Sequence, residues 1–142
     1  MARVLGIDFG ERRIGLAISD PSGTIAQPLP TMIRRAGKRP PVGPIADLIR
    51  EQDVDTVVIG LPLDLSGDET QWTREVRAFG AKLAERTGAA VAFVDERMTS
   101  VRAERAVREL GLKRSDRHDK SRIDAAAAQL ILQGFLDQRR HA

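Results

Sequence analysis

Four apolar runs in this chain lack a polar face: Val4 to Phe9, Ile14 to Ser19, Thr56 to Ile59 and Ala89 to Val94. A strand with one face in water alternates apolar and polar residues. Near-continuous apolar runs must instead be covered on both faces, which implies a sheet between layers of helix. The first two runs are joined only by Gly10-Glu11-Arg12-Arg13, a connection that predicts an antiparallel hairpin containing a glycine-dependent bulge. The last two alternate with stretches of helical period, which predicts parallel pairing.

The turn signal Asp20-Pro21-Ser22-Gly23 precedes a third strand expected over 24–33, and Pro28 and Pro30 assign that strand to an edge. Helical spacing appears at Ile45, Leu48 and Ile49, and again at Trp72, Val76, Phe79 and Leu83, ending near Gly88. A further helix carries Ala103, Ala106, Val107 and Leu110 and closes at Gly111; the last has Ile123, Ala127, Leu130 and Ile131 on its inward stripe. The expected order is β-β-β-α-β-α-β-α-α, and the length of 142 residues suits one domain over 1–142.

The chain has no cysteine, which excludes disulfides, thiolate zinc sites and a cysteine nucleophile. Its two histidines are His118, in a charged segment, and His141, near the end, so carboxylates holding a hard cation are the metal chemistry to expect. No apolar run approaches membrane-spanning length and no signal-peptide pattern opens the chain, so a cytoplasmic location is expected. Net charge is only +3, but nine Lys or Arg face four acids between Arg97 and Arg122, and Arg34, Arg35, Lys38 and Arg39 form a second cluster. Either group could be a solvated face or a grip on a polyanion.

Three acids interrupt apolar sequence. Asp8 sits within "RVLGIDFG", Glu96 ends "AAVAFVDE", and Asp124 breaks "SRIDAAAAQLIL" near the expected start of the last helix. An ionised acid in a buried run loses hydration and needs donors, a cation or exposure. The structural accounts are backbone hydrogen bonds across the hairpin for Asp8, pairing with Arg97 or Arg102 for Glu96, and the positive helix end for Asp124. If the last helix packs beside the first strand, the three converge, and divalent cations would offset their repulsion. Two such ions held about 3.5–4 Å apart can clamp a phosphodiester. Asp95 competes with Glu96, because neighbours on a strand point to opposite faces and spacing alone does not choose. Asp20, Asp55 and Asp64 lie beside turns and read as turn or cap residues.

The segments "GIDFGERRIGLAISD", "VVIGLPLDLSGDET", "VDERMTS" and "KSRIDAAAAQLILQGFLD" together resemble the YqgF/RuvX family of pre-16S rRNA nucleases and Holliday junction resolvases, in family order across nearly the whole chain. The resemblance implies an α/β, ribonuclease H-like mixed sheet of three antiparallel and two parallel strands with helices on both faces. It implies a catalytic, metal-holding site of Asp8, Glu96 and Asp124, choosing Glu96 over Asp95, with two Mg²⁺ or Mn²⁺ ions bridged by Asp8. The substrate it implies is the precursor of small-subunit ribosomal RNA, trimmed at its 5′ end, with branched or single-stranded DNA as the alternative. Cleavage would be by metal-activated water, leaving a 5′-phosphate. Arg12, Arg13, Arg97 and the basic loop from Lys113 to Arg122 would form a phosphate-gripping rim, with Lys120 one helical turn before Asp124.

Two rivals come from other classes. "GIDFG" also resembles the phosphate loop of actin-like and sugar-kinase ATPases, but those need two such domains and a Gly/Ser/Thr-rich turn where this chain has Glu11-Arg12-Arg13. A non-catalytic RNA-binding factor would gain affinity by losing the three acids this chain keeps.

Overall fold

The computed structural model describes residues 2–34, 39–96 and 117–140, with side chains in the last segment from Asp124 onward. The elements are β1 (Arg3–Phe9), β2 (Arg13–Ser19), β3 (Ala26–Ile33), α1 (Val42–Glu51), β4 (Val54–Leu61), α2 (Gln71–Thr87), β5 (Ala90–Asp95) and α3 (Arg117–Arg140). They form one five-stranded sheet in the order β3-β2-β1-β4-β5. β2 lies antiparallel between β1 and β3, whereas β4 pairs parallel with both β1 and β5. The mixed sheet is the one expected. The helix expected around Ala103 to Leu110 lies outside the described residues.

Alternation along the strands sorts the core into two layers. Leu5, Ile7, Phe9, Ile14, Leu16, Val57 and Ile59 face α1 and α2, meeting Ile45, Ile49, Val76, Phe79 and Leu83. Val4, Ala17 and Val58 face α3, meeting Ala127, Ala128, Ile131, Leu132 and Leu136. The inward stripe of α3 is thus wider than the expected one: Ala128, Leu132 and Leu136 join Ala127 and Ile131, Leu130 is only partly buried, and the Ile123 side chain is outside the described set. Small side chains on the sheet let this helix sit close. A Cβ placed on Gly6 would lie 2.7 Å from the Leu132 Cβ. Gln129 and Gln133 fasten the same helix to the start of β3, exchanging hydrogen bonds of 2.9–3.0 Å with the backbone of Thr24 and Ala26.

Local chemistry sets the ends of the elements. Helix α2 starts at a reciprocal Thr70–Thr73 capping box and stops at Gly88, whose φ of 76° only glycine adopts freely and whose N–H reaches the Ala84 carbonyl at 2.8 Å. β3 begins at Ala26 because the carboxylate of Asp20 accepts from the N–H groups of Thr24 and Ile25 and holds the two residues before it in the turn. Pro28 and Pro30 lie in β3, which is an edge strand as expected. The β1–β2 connection corrects one expectation: pairing runs without a shift from Leu5↔Ile18 to Phe9↔Ile14, so there is no bulge. Gly10 is required instead by crowding, since a Cβ there would stand 2.4 Å from the Arg13 carbonyl oxygen.

Candidate functional site

Asp8, Glu96 and Asp124 are all buried, at 4%, 8% and 8% exposure. Asp8 lies near the end of β1, with Glu96 and the backbone of Asp124 against the strands on either side of it. Val4 packs against α3 and Gly6 lies beneath Leu132, so strand alternation turns Asp8 to the same side of the sheet. Asp8 is opposite Gly15 on β2. On its other flank Ile7 pairs with Ile59, which brings Gly60 of β4 alongside. Each of these glycines is covered by one of the other two acids. A Cβ on Gly15 would fall 2.1 Å from the Asp124 carbonyl oxygen; one on Gly60 would fall 2.8 Å from Glu96 Oε1 and 2.6 Å from the Ile131 Cδ1. Two positions without side chains therefore make the floor on which the acids gather.

Asp95 and Glu96 differ in placement. Val91 and Phe93 join the α1/α2 layer and Val94 the α3 layer, so alternation puts Asp95 on the α1/α2 side, while Glu96, just past the end of β5, brings its Oε1 to the Gly60 position beside Ile131 of α3. Asp124 needs a correction. Helix α3 begins at Arg117, so Asp124 is seven residues inside it, well past the first turn over which the helix dipole acts. The helix-end account of this acid therefore lapses. Its observed partner is Arg13, whose Nε donates to Oδ2 at 2.6 Å.

That pair was not foreseen, because spacing in sequence carries no sign of a contact between residues 111 apart. The glycine floor had a visible signal: Gly15 and Gly60 each break an apolar run, where glycine marks close approach by another element. Of the expected rim, Arg12 is exposed in the turn after β1 and its carbonyl accepts from Arg34 N–H at 2.6 Å. Arg97 lies outside the described residues, as do residues 113–116 of the expected basic loop. From Arg117 to Arg122 that loop is helix, and Lys120 occupies the turn of α3 before Asp124, its side chain being outside the described set.

In donor chemistry three carboxylates suit a hard divalent cation, and the missing Cβ of Gly60 leaves room for the Glu96 carboxylate. Among the described residues no three acidic or imidazole side chains form a group that could hold a metal ion, and Oδ2 of Asp124 is taken by the guanidinium of Arg13. Of the acids expected to serve turns, Asp20 and Asp64 do so, whereas Asp55 is the second residue of β4 and accepts from the neighbouring Thr56 hydroxyl at 3.0 Å. Asp20 is held down to about 2 by hydrogen bonds from the Ile25 backbone, the Ser22 hydroxyl and the Thr24 backbone. Asp64 is lowered by the Ser66 hydroxyl and the Asp68 N–H. Among the described residues no helix is long and apolar enough to cross a membrane.

Comparison with known proteins agrees with this architecture. A family model described as "RuvX: Holliday junction resolvase" matches residues 2–138. A protein of Anaeromyxobacter sp. described as "Putative pre-16S rRNA nuclease" is 43% identical over 137 residues, covering 96% of this chain and 98% of the relative. One of Roseiflexus sp. with the same description is 43% identical over 138 residues, covering 97% and 96%. Among solved structures, Thermus thermophilus RuvC in complex with a Holliday junction substrate superposes with a TM-score of 0.59 at 17% identity, covering 97% of this chain and 96% of that one. The fowlpox virus Holliday junction resolvase gives 0.54 at 11% identity, covering 96% and 99%. At such identities these two likenesses concern the fold.

Proposed function

This chain belongs to the RuvX family, and from that membership we infer that it is a nuclease that hydrolyses phosphodiester bonds at Asp8, Glu96 and Asp124, most naturally in the 5′ maturation of the small-subunit ribosomal RNA precursor. The observation that supports the reading is three buried acids, with the Glu96 carboxylate over Gly60 and the Asp124 backbone over Gly15 on either side of Asp8, in a chain whose relatives bear a nuclease description. A cluster of acids with one arginine stores repulsion that a non-catalytic binding surface would not retain.

Each residue has a task that follows from its position. Asp8 projects from the central strand, flanked by β2 and β4, and would hold a divalent cation together with the other two acids. Glu96 leaves the end of β5 and reaches back over Gly60; Asp124 is delivered by α3. Magnesium or manganese held by these oxygens would supply Lewis-acid activation and neutralise charge developing on the phosphate. Arg13 and Arg12, in and beside the β1–β2 turn, would orient phosphate groups, and the sequence adds Arg97 and Lys120 as further candidates for that task. Such a nuclease would work in the cytoplasm, where precursor ribosomal RNA is found in bacteria.

Branched DNA is the second reading, favoured by the description of the family model. A cleavage panel separates the two: labelled precursor ribosomal RNA, a generic RNA strand and a four-way DNA junction, at fixed salt, with Mg²⁺, with Mn²⁺ and with excess EDTA. The expected result is metal-dependent cutting of the precursor, abolished in Asp8→Asn while binding persists. Preferred cutting of the junction would transfer the assignment to DNA. Equal activity in Asp8→Asn, or full activity in EDTA, would remove the site. Binding without cleavage of any substrate would leave the RNA-binding factor.

A further inference from the structure

The sheet end that carries Asp8 has a second polar surface on its opposite face. Phe9, the next residue of β1, points into the α1/α2 layer and stacks on Trp72 and Phe79, with ring centroids 5.4 Å and 4.2 Å away. The guanidinium of Arg34 lies 5.0 Å from the Phe9 ring centre and 6.0 Å from that of Trp72. Its Nε and Nη1 atoms are buried and have no hydrogen-bond partner among the described residues. A guanidinium cannot relieve this by losing its proton, and an aromatic face attracts the cation without accepting its N–H bonds in good geometry. Buried charged donors without acceptors are costly, so their persistence points to an acceptor that arrives from outside.

The surroundings specify its charge. Arg34 lines a hollow of about 180 Å³ with Phe9, Pro40, Glu75, Phe79 and Lys82. Pro40 and Lys82 also border an adjoining cleft of about 600 Å³, to which Arg39 and Arg86 contribute. Four cationic side chains thus face the two connected spaces against the carboxylates of Glu75 and Glu85, and Glu75 forms no ion pair with Arg34. An apolar ligand would leave the guanidinium unsatisfied and a cation would be repelled. A tetrahedral oxyanion has enough acceptors to take the Arg34 Nε and Nη1 donors together while another of its oxygens meets Lys82.

We propose that the hollow beneath Arg34 is a phosphate-binding site on the sheet face opposite the three carboxylates. Arg34 donates from Nε and Nη1, Lys82 closes the outer side, and the wider cleft with Arg39 and Arg86 takes whatever the phosphate is attached to. Two sources present this chemistry: the backbone of a polynucleotide, or the phosphate of a free nucleotide. The site does not depend on metal or on cleavage.

Trp72 is the only tryptophan of the chain and stacks on the ring that Arg34 covers, so its fluorescence reports on the hollow. The full chain in EDTA is titrated with inorganic phosphate, with AMP and with a single-stranded oligonucleotide, each against sodium chloride of matched ionic strength. A saturable change with at least one phosphate probe and none with chloride is expected. Arg34→Gln should weaken that probe at least tenfold, Arg34→Lys less, and Lys82→Gln, at an exposed position, at least threefold. Saturation by AMP that the oligonucleotide displaces assigns a free nucleotide as an adequate ligand; response to the oligonucleotide alone assigns the backbone. No saturable response to any probe, the same response to chloride, or undiminished affinity in Lys82→Gln and a folded Arg34→Gln overturns the proposal. If Arg34→Gln fails to fold, as judged by circular dichroism, Lys82→Gln decides.

Discussion

Arg13 and Asp124 are joined by a hydrogen bond of 2.6 Å between the guanidinium Nε and the carboxylate Oδ2, which fastens α3 to the start of β2. The arginine side chain is 29% exposed and the aspartate side chain 12%, so the pair is neither a solvated surface contact nor a fully buried one. Removing only the arginine leaves a nearly buried carboxylate beside two others. Arg13→Ala should therefore cost about 1–2 kcal/mol, between the ranges for exposed and buried pairs. The double variant Arg13→Ala/Asp124→Asn should recover most of it, as urea denaturation in EDTA would measure. If the single variant matches the original protein, the pair contributes nothing.

The same pair predicts a dependence on metal. The guanidinium competes with a cation for Oδ2 of Asp124, so Mg²⁺ should raise the melting temperature of Arg13→Ala more than that of the original protein. In Asp8→Asn the melting temperature without metal should rise slightly, because one of three gathered anions is gone, and the response to Mg²⁺ should vanish. Thermal melts with and without Mg²⁺ test both statements, and equal metal responses in all three proteins would refute them.

The two glycines that floor the site should respond differently to the same added methyl. At Gly15 the new Cβ meets the backbone carbonyl of Asp124 at 2.1 Å, which cannot move without lifting α3, so Gly15→Ala should cost about 3 kcal/mol or more. At Gly60 it meets the ends of the Ile131 and Glu96 side chains, which can rotate aside. Gly60→Ala should thus be the milder change for stability, about 1 kcal/mol, yet lower cleavage about a hundredfold by moving the Glu96 carboxylate. Chemical denaturation and cleavage rates of the two variants test this, and a Gly60→Ala protein that cleaves at the original rate would show the floor to be unimportant to the site.

Asp20 supplies a pH dependence away from the site. Its carboxyl is lowered from 3.8 to about 2 by the Ile25 backbone first, then by the Ser22 hydroxyl and the Thr24 backbone. A depressed folded-state value stabilises the fold above the unfolded value and is lost as pH falls through the folded one. The melting temperature of Asp20→Ala should accordingly lie below that of the original protein at pH 7, and the gap should narrow as pH falls from about 4 toward 2. A gap independent of pH would show that the turn does not draw on the charge.

Much of this arrangement was legible in the residues because burial on both faces removes alternation, and the four near-continuous apolar runs made the sheet visible. Pro28 and Pro30 marked the edge, and Gly88 marked the end of α2. Asp8, Glu96 and Asp124 stood out as carboxylates in apolar sequence, and strand alternation in three dimensions separates Glu96 from Asp95 where spacing alone left them level. Two things were hidden. The start of α3 fell within a polar stretch whose composition gives a helix and a solvated loop alike, which misplaced Asp124 relative to the helix end. The Arg13–Asp124 bond and the orphaned donors of Arg34 depend on which distant surfaces touch, and no local pattern encodes that.

Because Gly6 and Gly15 let α3 lie directly on the strands, a shift of the helix would act as a lever with Asp124 on its arm. A bulkier side chain at Leu132 or Leu136, remote from any phosphate, would tip that lever and spoil catalysis while the protein still folded. Inactive variants of this enzyme should therefore turn up along the whole length of its final helix.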